Sequence, residues 1–416
     1  MKSQGTDLAI LSALLLLGIL VGSAQVAFMP GVPSLGRYHA SDMDDLQQQL
    51  FGDSMRPQPN AAGADHPAWY MVCGIYQHLS DATGVSAMRL WNATMPLLLG
   101  LNLCLFFCLT RKIGFDRLEG LGLTAVLLST GGTITWSVVL ETHVLAPTSL
   151  LLASLILTER RVFQSLWNNP SPTILGVYGL AIALAGIVTI TNSMLAILAA
   201  APANLVRRAR LRALTRRVFA RLPTLGTAGL AGVGLLAFVH LAGWYLIQDP
   251  DMNQFLAVLR ERHYIAYMRG SWWDSALSLS WIAPPMDAYL GTPQDTMLML
   301  RRDGSTAPAY ASGFLVFALT VGSLRFHSVQ TMFIPLFAIF GVALHSIYGL
   351  GESFLFAANY AWATVLSVGI LGRSLLPGWL SIGSMTIATL MIVANLHVWT
   401  QGIEWVVAND YLLPVR

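Results

Sequence analysis

Three aspartates lie close together soon after the first long apolar segment, in the sequence SDMDDLQQQLFG. Any one of Asp42, Asp44 and Asp45 could act as a general base, because a carboxylate near a low-dielectric boundary can have its pKa raised toward the working pH. The same acids would also suit the solvated start of a helix, where the helix dipole favours negative charge. The residues alone leave both interpretations open.

Further polar residues interrupt the apolar parts of the chain, where a carboxylate is costly and usually has a function. They could position an acceptor hydroxyl or contact a phosphate, or they could cap helices and occupy turns at the membrane interface. Pro67, which suits the first turn of a helix, predicts a helix that opens within ADHPAWYMV. The candidates for substrate binding are His66, Glu141, His143, Asn192 and Glu352.

The segment RERHYIAYMRG gathers four side chains that could bind a lipid phosphate, since arginine forks match phosphate oxygens well. The alternative is an amphipathic helix with internal salt bridges, because Glu261 lies between two of the arginines. The four candidates are Arg260, Arg262, His263 and Arg269.

The composition predicts that these residues are positioned by helices in a membrane. The chain has 416 residues, of which 55% are hydrophobic and 11% charged, whereas about 25% of residues are charged in soluble domains. Apolar runs of about 20 residues favour helices over a barrel. The three cysteines have no disulfide or metal spacing. The chain is therefore predicted to be an all-α polytopic membrane protein with one transmembrane domain over residues 1–416.

About eleven spans are expected, and the first is taken as a membrane span rather than a cleaved signal peptide. The fifth and sixth are nearly continuous, with a break at Thr191-Asn192. Broken membrane helices leave backbone groups free, which is tolerated where they line a cavity. The predicted spans are 7–28, 92–110, 120–140, 143–158, 173–190, 192–205, 225–247, 308–324, 329–347, 353–372 and 377–398.

The charges orient the spans. Of the 24 basic residues, 15 fall in the loops on the side of the N-terminus, while 17 of the 21 acids fall on the opposite side. The positive-inside rule makes the N-terminal side cytoplasmic. Two long loops then lie on the periplasmic or extracellular face, at 29–91 with amphipathic helices and at 248–307. Trp281 and other aromatics of the second loop could form an interfacial belt or a platform for a sugar.

Taken together, these motifs resemble the GT-C superfamily of membrane glycosyltransferases. The resemblance is carried by the acidic first loop, HPAWY at the start of a helix, LETHVLAP at a tight outer turn, TITNSMLAI at a broken span and GESFLFAANYAW late in the chain. These segments extend over most of the chain. They are most similar to bacterial members that take sugars from polyprenyl-phosphate carriers, related to the protein mannosyltransferases and the lipid A aminoarabinose transferase.

The resemblance implies an enzyme of the bacterial inner membrane with an outer cavity under its first loop. Such an enzyme would transfer a sugar, with inversion, from a polyprenyl-phosphate carrier to a hydroxyl of a glycan, lipid or protein acceptor on the periplasmic face. A first-loop aspartate would be the base. The lipid-linked sugar is a substrate, no cofactor or divalent metal is expected, and no nucleic-acid partner is implied.

Two other functions remain open from the sequence. A glycan polymerase or O-antigen ligase would use essential Arg and His residues in a large outer loop, which the loop 248–307 could supply. A transporter or lipid flippase would place ionisable residues at the membrane midplane and show internal repeats. The mid-span positions here are nearly free of acids, and no repeat is evident.

Overall fold

The described part of the chain is a bundle of apolar helices. In the computed structural model it comprises residues 2–28, 68–137, 142–160, 162, 171–200, 226–239, 241–243, 275–284, 286–287, 299–300, 304–328, 330–346 and 353–409. Within these ranges, five helices are long and apolar enough to cross a membrane. The prediction of a helical chain with apolar helices of membrane-spanning length is therefore confirmed, whereas the total of eleven spans stays a prediction.

Thirteen helices are described, together with a two-residue antiparallel pair of strands, β1 Met286–Asp287 and β2 Met299–Leu300. Short 3₁₀ helices join several of them. The helices are α1 Lys2–Phe28, α2 Trp69–Thr83, α3 Ala87–Lys112, α4 Arg117–Ser129, α5 Gly131–Trp136, α6 Ala146–Leu157, α7 Pro172–Gly186, α8 Met194–Ala200, α9 Gly226–Gly243, α10 Ala307–Ser323, α11 Phe333–His345, α12 Ala357–Leu375 and α13 Leu380–Asn409.

The predicted break between the fifth and sixth spans is confirmed. Helix α7 ends at Gly186, a 3₁₀ helix covers Ile190–Ser193, and α8 begins at Met194. The chain is closely packed at this break, because a Cβ atom added at Gly186 would lie 2.1 Å from the Ser193 hydroxyl oxygen. A side chain at position 186 would require the Ser193 side chain to move.

The prediction of one continuous helix over 120–140 is wrong. Helix α4 ends at Ser129, and α5 starts afresh at Gly131 with Thr130 as its N-cap, whose side chain accepts a hydrogen bond from the Thr133 amide. Both glycines after Thr130 lie against neighbouring backbone: a Cβ atom at Gly131 would approach the Ala283 nitrogen to 2.5 Å, and one at Gly132 would approach the Ala357 carbonyl carbon to 2.9 Å. Close packing at this point fixes the break.

Helix α1 packs along α3 through glycine contacts. A Cβ atom on Gly18 would lie 2.3 Å from the Cα atom of Gly100, and one on Gly22 would lie 2.7 Å from the Cα atom of Pro96. Small residues at a helix crossing let two backbones approach closely, which favours association inside a bilayer. This contact fixes the position of the C-terminal half of α1 against α3.

One end of the bundle, here named the charged end, collects ion pairs between helix termini. Arg117 at the start of α4 lies 2.6 Å from the Asp7 carboxylate, and Lys112 at the end of α3 lies 2.8 Å from Glu159. Arg373 at the end of α12 donates to the Gly114 carbonyl oxygen and lies 3.6 Å from Glu119. The basic residues in these pairs come from loops that the sequence assigns to one side of the membrane.

Candidate functional site

The opposite end of the bundle, named the cleft end, anchors both sides of residues 29–67. Before this segment, Gln25 near the end of α1 donates from Nε2 to the Ile134 carbonyl (2.8 Å), and its Oε1 accepts from the Ser137 hydroxyl (2.9 Å). After it, the Ala68 amide donates to the Ile187 carbonyl (2.9 Å). The described residues on both sides of the segment that contains the three aspartates therefore lie at this end of the bundle.

Helix α2 is held by an aromatic cluster. Trp69 meets Trp91 of α3 edge to face at 5.9 Å between ring centroids, and Tyr76 lies 5.6 Å from the same indole. The Tyr76 hydroxyl forms a 2.6 Å hydrogen bond with the Thr94 hydroxyl, and burial raises the pKa of Tyr76. Such aromatic contacts add roughly 0.5–1.5 kcal/mol beyond burial, so they fix the helix that follows His66 and Pro67.

A cleft opens beside this anchor, between α3, α5, α6 and α12. It contains about 510 Å³ of empty space with its mouth included, of which about 30 Å³ can hold the centre of a water molecule. A sugar would therefore have to occupy the mouth or widen the cleft. Ser137 and Val144 line it, and these two residues flank in sequence the segment that contains Glu141 and His143.

Most of the cleft wall is apolar, with a few polar groups from different helices. Asn102 of α3 accepts a hydrogen bond from Thr148 at 2.6 Å, and the Thr133 hydroxyl accepts one from Thr130 at 2.9 Å. Trp362 of α12 is 1% exposed, and its indole N–H has no hydrogen-bond partner among the described residues. Apolar pockets with few convergent polar groups are typical ligand sites, and a buried unpaired donor calls for a partner.

The break between α4 and α5 forms one wall of the cleft and is held from α13. The Asn395 amide donates to the carbonyls of Ser129 (2.7 Å) and Trp281 (2.8 Å), while its oxygen accepts from the Ala283 amide (2.8 Å). The Gly131 amide also donates to the Trp281 carbonyl at 2.8 Å. Backbone groups freed by the break thus find partners inside the protein, as they must within a membrane.

Residues 275–284, from the second predicted outer loop, lie inside the bundle. Trp281 is only 8% exposed, and its indole N–H donates to the Thr364 hydroxyl at 2.9 Å. The sequence suggested that this residue belongs to an interfacial belt or to a platform for a sugar. Both interpretations are wrong for Trp281, because its ring packs between helices. The loop 248–307 as a whole stays a prediction.

Most sequence-predicted site residues lie outside the described part of the chain, so their placement stays a prediction. Their sequence neighbours are described, however: Ala68 follows His66 by two residues, Thr142 follows Glu141, and Ser353 follows Glu352. The residues outside the described ranges are Asp42, Asp44, Asp45, His66, Glu141, Glu352, Arg260, Arg262, His263 and Arg269.

Two predicted site residues are described at least in part. The backbone of His143 belongs to the 3₁₀ helix Thr142–Leu145, which leads into α6. Asn192 is 1% exposed within the break between α7 and α8, and its amide nitrogen has no hydrogen-bond partner among the described residues. Asn192 does not line the cleft, but it follows Ile187, which binds the start of α2.

Four residues of the cleft or of the anchor were not predicted from the sequence: Gln25, Asn102, Ser137 and Trp362. For Gln25 and Asn102 a signal was present, because an amide within an apolar span is costly and needs a partner. Ser137 and Trp362 carry no such signal, since neither type is unusual in a membrane helix.

Comparison of the chain with known protein families, curated proteins and solved structures finds no match. The fold and the cleft define a helical protein with five helices of membrane-spanning length in its described part and a candidate ligand site at one end of its bundle. In the described ranges no three His, Cys, Asp or Glu side chains are grouped to hold a metal ion. The prediction on metals stays open, because most candidate residues lie elsewhere.

Proposed function

We propose that the protein is an inverting glycosyltransferase that moves a sugar from a polyprenyl-phosphate carrier to an acceptor hydroxyl on the periplasmic face of a bacterial inner membrane. One observation carries the proposal: the described residues on both sides of 29–67, the acidic part of the predicted first loop, are anchored at the cleft end. Gln25 and Ala68 mark these anchors, and Ser137 joins the first of them directly to the cleft.

Described neighbours of two other predicted outer turns lie in the same region. The 3₁₀ helix Thr142–Leu145 contributes Val144 to the cleft, and the start of α12, which follows Glu352, contributes Ala358. Segments far apart in sequence thus approach one space. This arrangement supports the resemblance to the GT-C superfamily, which implies a cavity under the first loop.

In the proposed reaction the acceptor oxygen attacks the anomeric carbon from the face opposite the carrier. The bond between that carbon and the phosphate oxygen breaks, and its electron pair leaves with the polyprenyl phosphate. One of Asp42, Asp44 and Asp45 takes the proton of the acceptor hydroxyl. The arginines of the segment 260–269 would stabilise the departing phosphate, while the apolar cleft wall would face the lipid part of the donor.

The test uses the full chain in phospholipid vesicles with polyprenyl-phosphate sugars labelled in the sugar, and an envelope glycolipid extract as acceptor. We expect Asp→Asn replacement of one first-loop aspartate to lower the transfer rate by about 10²–10⁴-fold, the usual contribution of a positioned general base. Binding of the labelled donor should be unchanged. Transfer at the wild-type rate by all three single variants would contradict the base assignment.

A second comparison tests the cleft. Trp362→Phe keeps an aromatic ring but removes the unpaired N–H, and it should raise KM for donor or acceptor about fivefold, the equivalent of one hydrogen bond of ~1 kcal/mol. Trp399→Phe removes another indole N–H that has no partner among the described residues and lies outside the cleft lining. Equal KM values for the two variants would argue against the cleft as the binding site.

A further inference from the structure

A second opening lies at the other half of the bundle, between α4, α12 and α13. It contains about 530 Å³ of empty space with its mouth included, of which about 140 Å³ can hold the centre of a water-sized sphere. Its wall is almost wholly apolar, from Val126 and Trp281 at the inner limit to Leu376 and Trp379 at the turn before α13. We name this opening the apolar groove.

Three glycines line the groove, Gly369, Gly372 and Gly383. A Cβ atom added at Gly383 would meet nothing within 4 Å, whereas one added at Gly369 would lie 2.8 Å from the Leu123 side chain, so Gly383 is the glycine that faces open space. The stretch of α12 that lines it runs from Val365 to Gly372, which is roughly 10 Å of helix. The groove is thus a narrow slot of about two helical turns, the shape that a single hydrocarbon chain requires.

The surroundings of the groove are those of a membrane surface. Helix α13 exposes Ile382, Met385 and Leu390 along its outer face, and Trp379 at the groove mouth is 66% exposed. Tryptophan is enriched where the hydrocarbon region of a bilayer meets its head groups. The groove therefore opens toward lipid, with its mouth at the level of the charged end.

Arg373 lies beside this mouth. It directly follows Gly372, and its side chain is 45% exposed although it pairs with Glu119 and donates to the Gly114 carbonyl oxygen. Lys112 and Arg117 lie at the same end of the bundle but pair with Glu159 and Asp7. Basic residues at the cytoplasmic membrane surface attract anionic lipids, so the exposed part of the Arg373 side chain complements a negatively charged head group.

We propose that the apolar groove binds one acyl chain of an anionic phospholipid, whose head group lies beside Arg373. The site is separate from the cleft, which is at the opposite end of the bundle, and it does not depend on the proposed glycosyl transfer. Its occupant would be a resident membrane lipid that fills the space between α4, α12 and α13, and neither the donor nor the acceptor.

The test reconstitutes the full chain in phosphatidylcholine vesicles that contain a small fraction of phosphatidylglycerol with a photoactivatable acyl chain. After illumination, labelled residues are mapped by mass spectrometry. We expect adducts on groove residues such as Trp379 and Ile387. Gly383→Phe should reduce them about tenfold, because filling the slot removes the burial of about two methylene groups. Gly234→Phe on α9 is the matched control, since its Cβ atom also meets nothing within 4 Å.

Each outcome decides the proposal. Labelling that falls in Gly383→Phe but not in Gly234→Phe, and that is stronger for phosphatidylglycerol than for an equally labelled phosphatidylcholine probe, supports it. Equal labelling by the two head groups, or equal labelling of the two variants, overturns it. Loss of groove labelling on addition of polyprenyl phosphate would assign the groove to the donor and would likewise overturn it. Thermal unfolding of each variant in detergent confirms that both are folded.

Discussion

Asn395 provides the strongest single test of how the broken helix is held. Its side chain makes three buried hydrogen bonds, to the Ser129 and Trp281 carbonyls and from the Ala283 amide. Asn395→Leu keeps the branching and approximate volume of the side chain but removes all three. The Trp281 carbonyl keeps the Gly131 amide as a donor. The Ser129 carbonyl and the Ala283 amide, which lose their hydrogen bond to the Asn395 side chain, therefore account for most of the expected destabilisation.

The expected magnitude follows from these contacts. Hydrogen bonds between membrane helices average about 0.6 kcal/mol each, which sets a lower value near 2 kcal/mol for three. Leaving a buried backbone group without a partner costs about 1–3 kcal/mol, which for two groups gives about 4 kcal/mol. We therefore expect Asn395→Leu to lower the free energy of unfolding by about 2–4 kcal/mol.

The assay is equilibrium unfolding in mixed micelles with increasing denaturing detergent, followed by tryptophan fluorescence. Thr389→Val is the control on the same helix, because the Thr389 hydroxyl is exposed and donates to the Met385 carbonyl of its own turn. Its free energy of unfolding should change by less than about 0.5 kcal/mol, as is usual for surface substitutions. Wild-type stability of Asn395→Leu would refute the role given to this residue.

Two further predictions concern packing and pH. Gly18→Leu should lower the free energy of unfolding by about 1–3 kcal/mol, because the new side chain overlaps the Gly100 backbone. Gly5→Leu, at a site with no neighbour within 4 Å, should leave the free energy of unfolding unchanged. Equal unfolding midpoints in detergent for the two variants would contradict the α1–α3 contact. Burial of His327 between α10 and α11 lowers its pKa to about 4, so the unfolded chain binds more protons than the folded one between about pH 6.5 and pH 4. Stability should therefore fall by up to about 3 kcal/mol as the pH drops through that window, and the fall should be absent in His327→Leu; parallel pH profiles for the two proteins would contradict the burial argument.

The sequence predicted the helical membrane class and one of the two helix breaks. The break at 187–193 was visible because Thr191 and Asn192 interrupt an apolar run. The break at Thr130 was missed, although Gly131 and Gly132 follow it, because hydropathy does not detect the carbonyl bonds made by a side chain 266 residues further along the chain.

The candidate site was predictable only in outline. The polar turns were recognised by their charged and amide residues, and the described neighbours of these turns do gather at one end of the bundle. The cleft itself depends on contacts between helices, such as Gly132 against Ala357, which no local pattern encodes. Trp281 was misjudged for the same reason, because its partner Thr364 lies on a distant helix.

The central claim is that the first-loop aspartates face the cleft, and cross-linking between engineered cysteines tests it most directly. With Cys73, Cys104 and Cys108 replaced by serine, cysteine at Ser137 would be paired in turn with cysteine at each of the three aspartate positions. A bifunctional thiol reagent about as long as one sugar ring should link at least one pair in membrane vesicles. Cysteine at Ser374, at the charged end, should link to none; failure of every Ser137 pair, with all sites still labelled by a monofunctional reagent, would contradict the account.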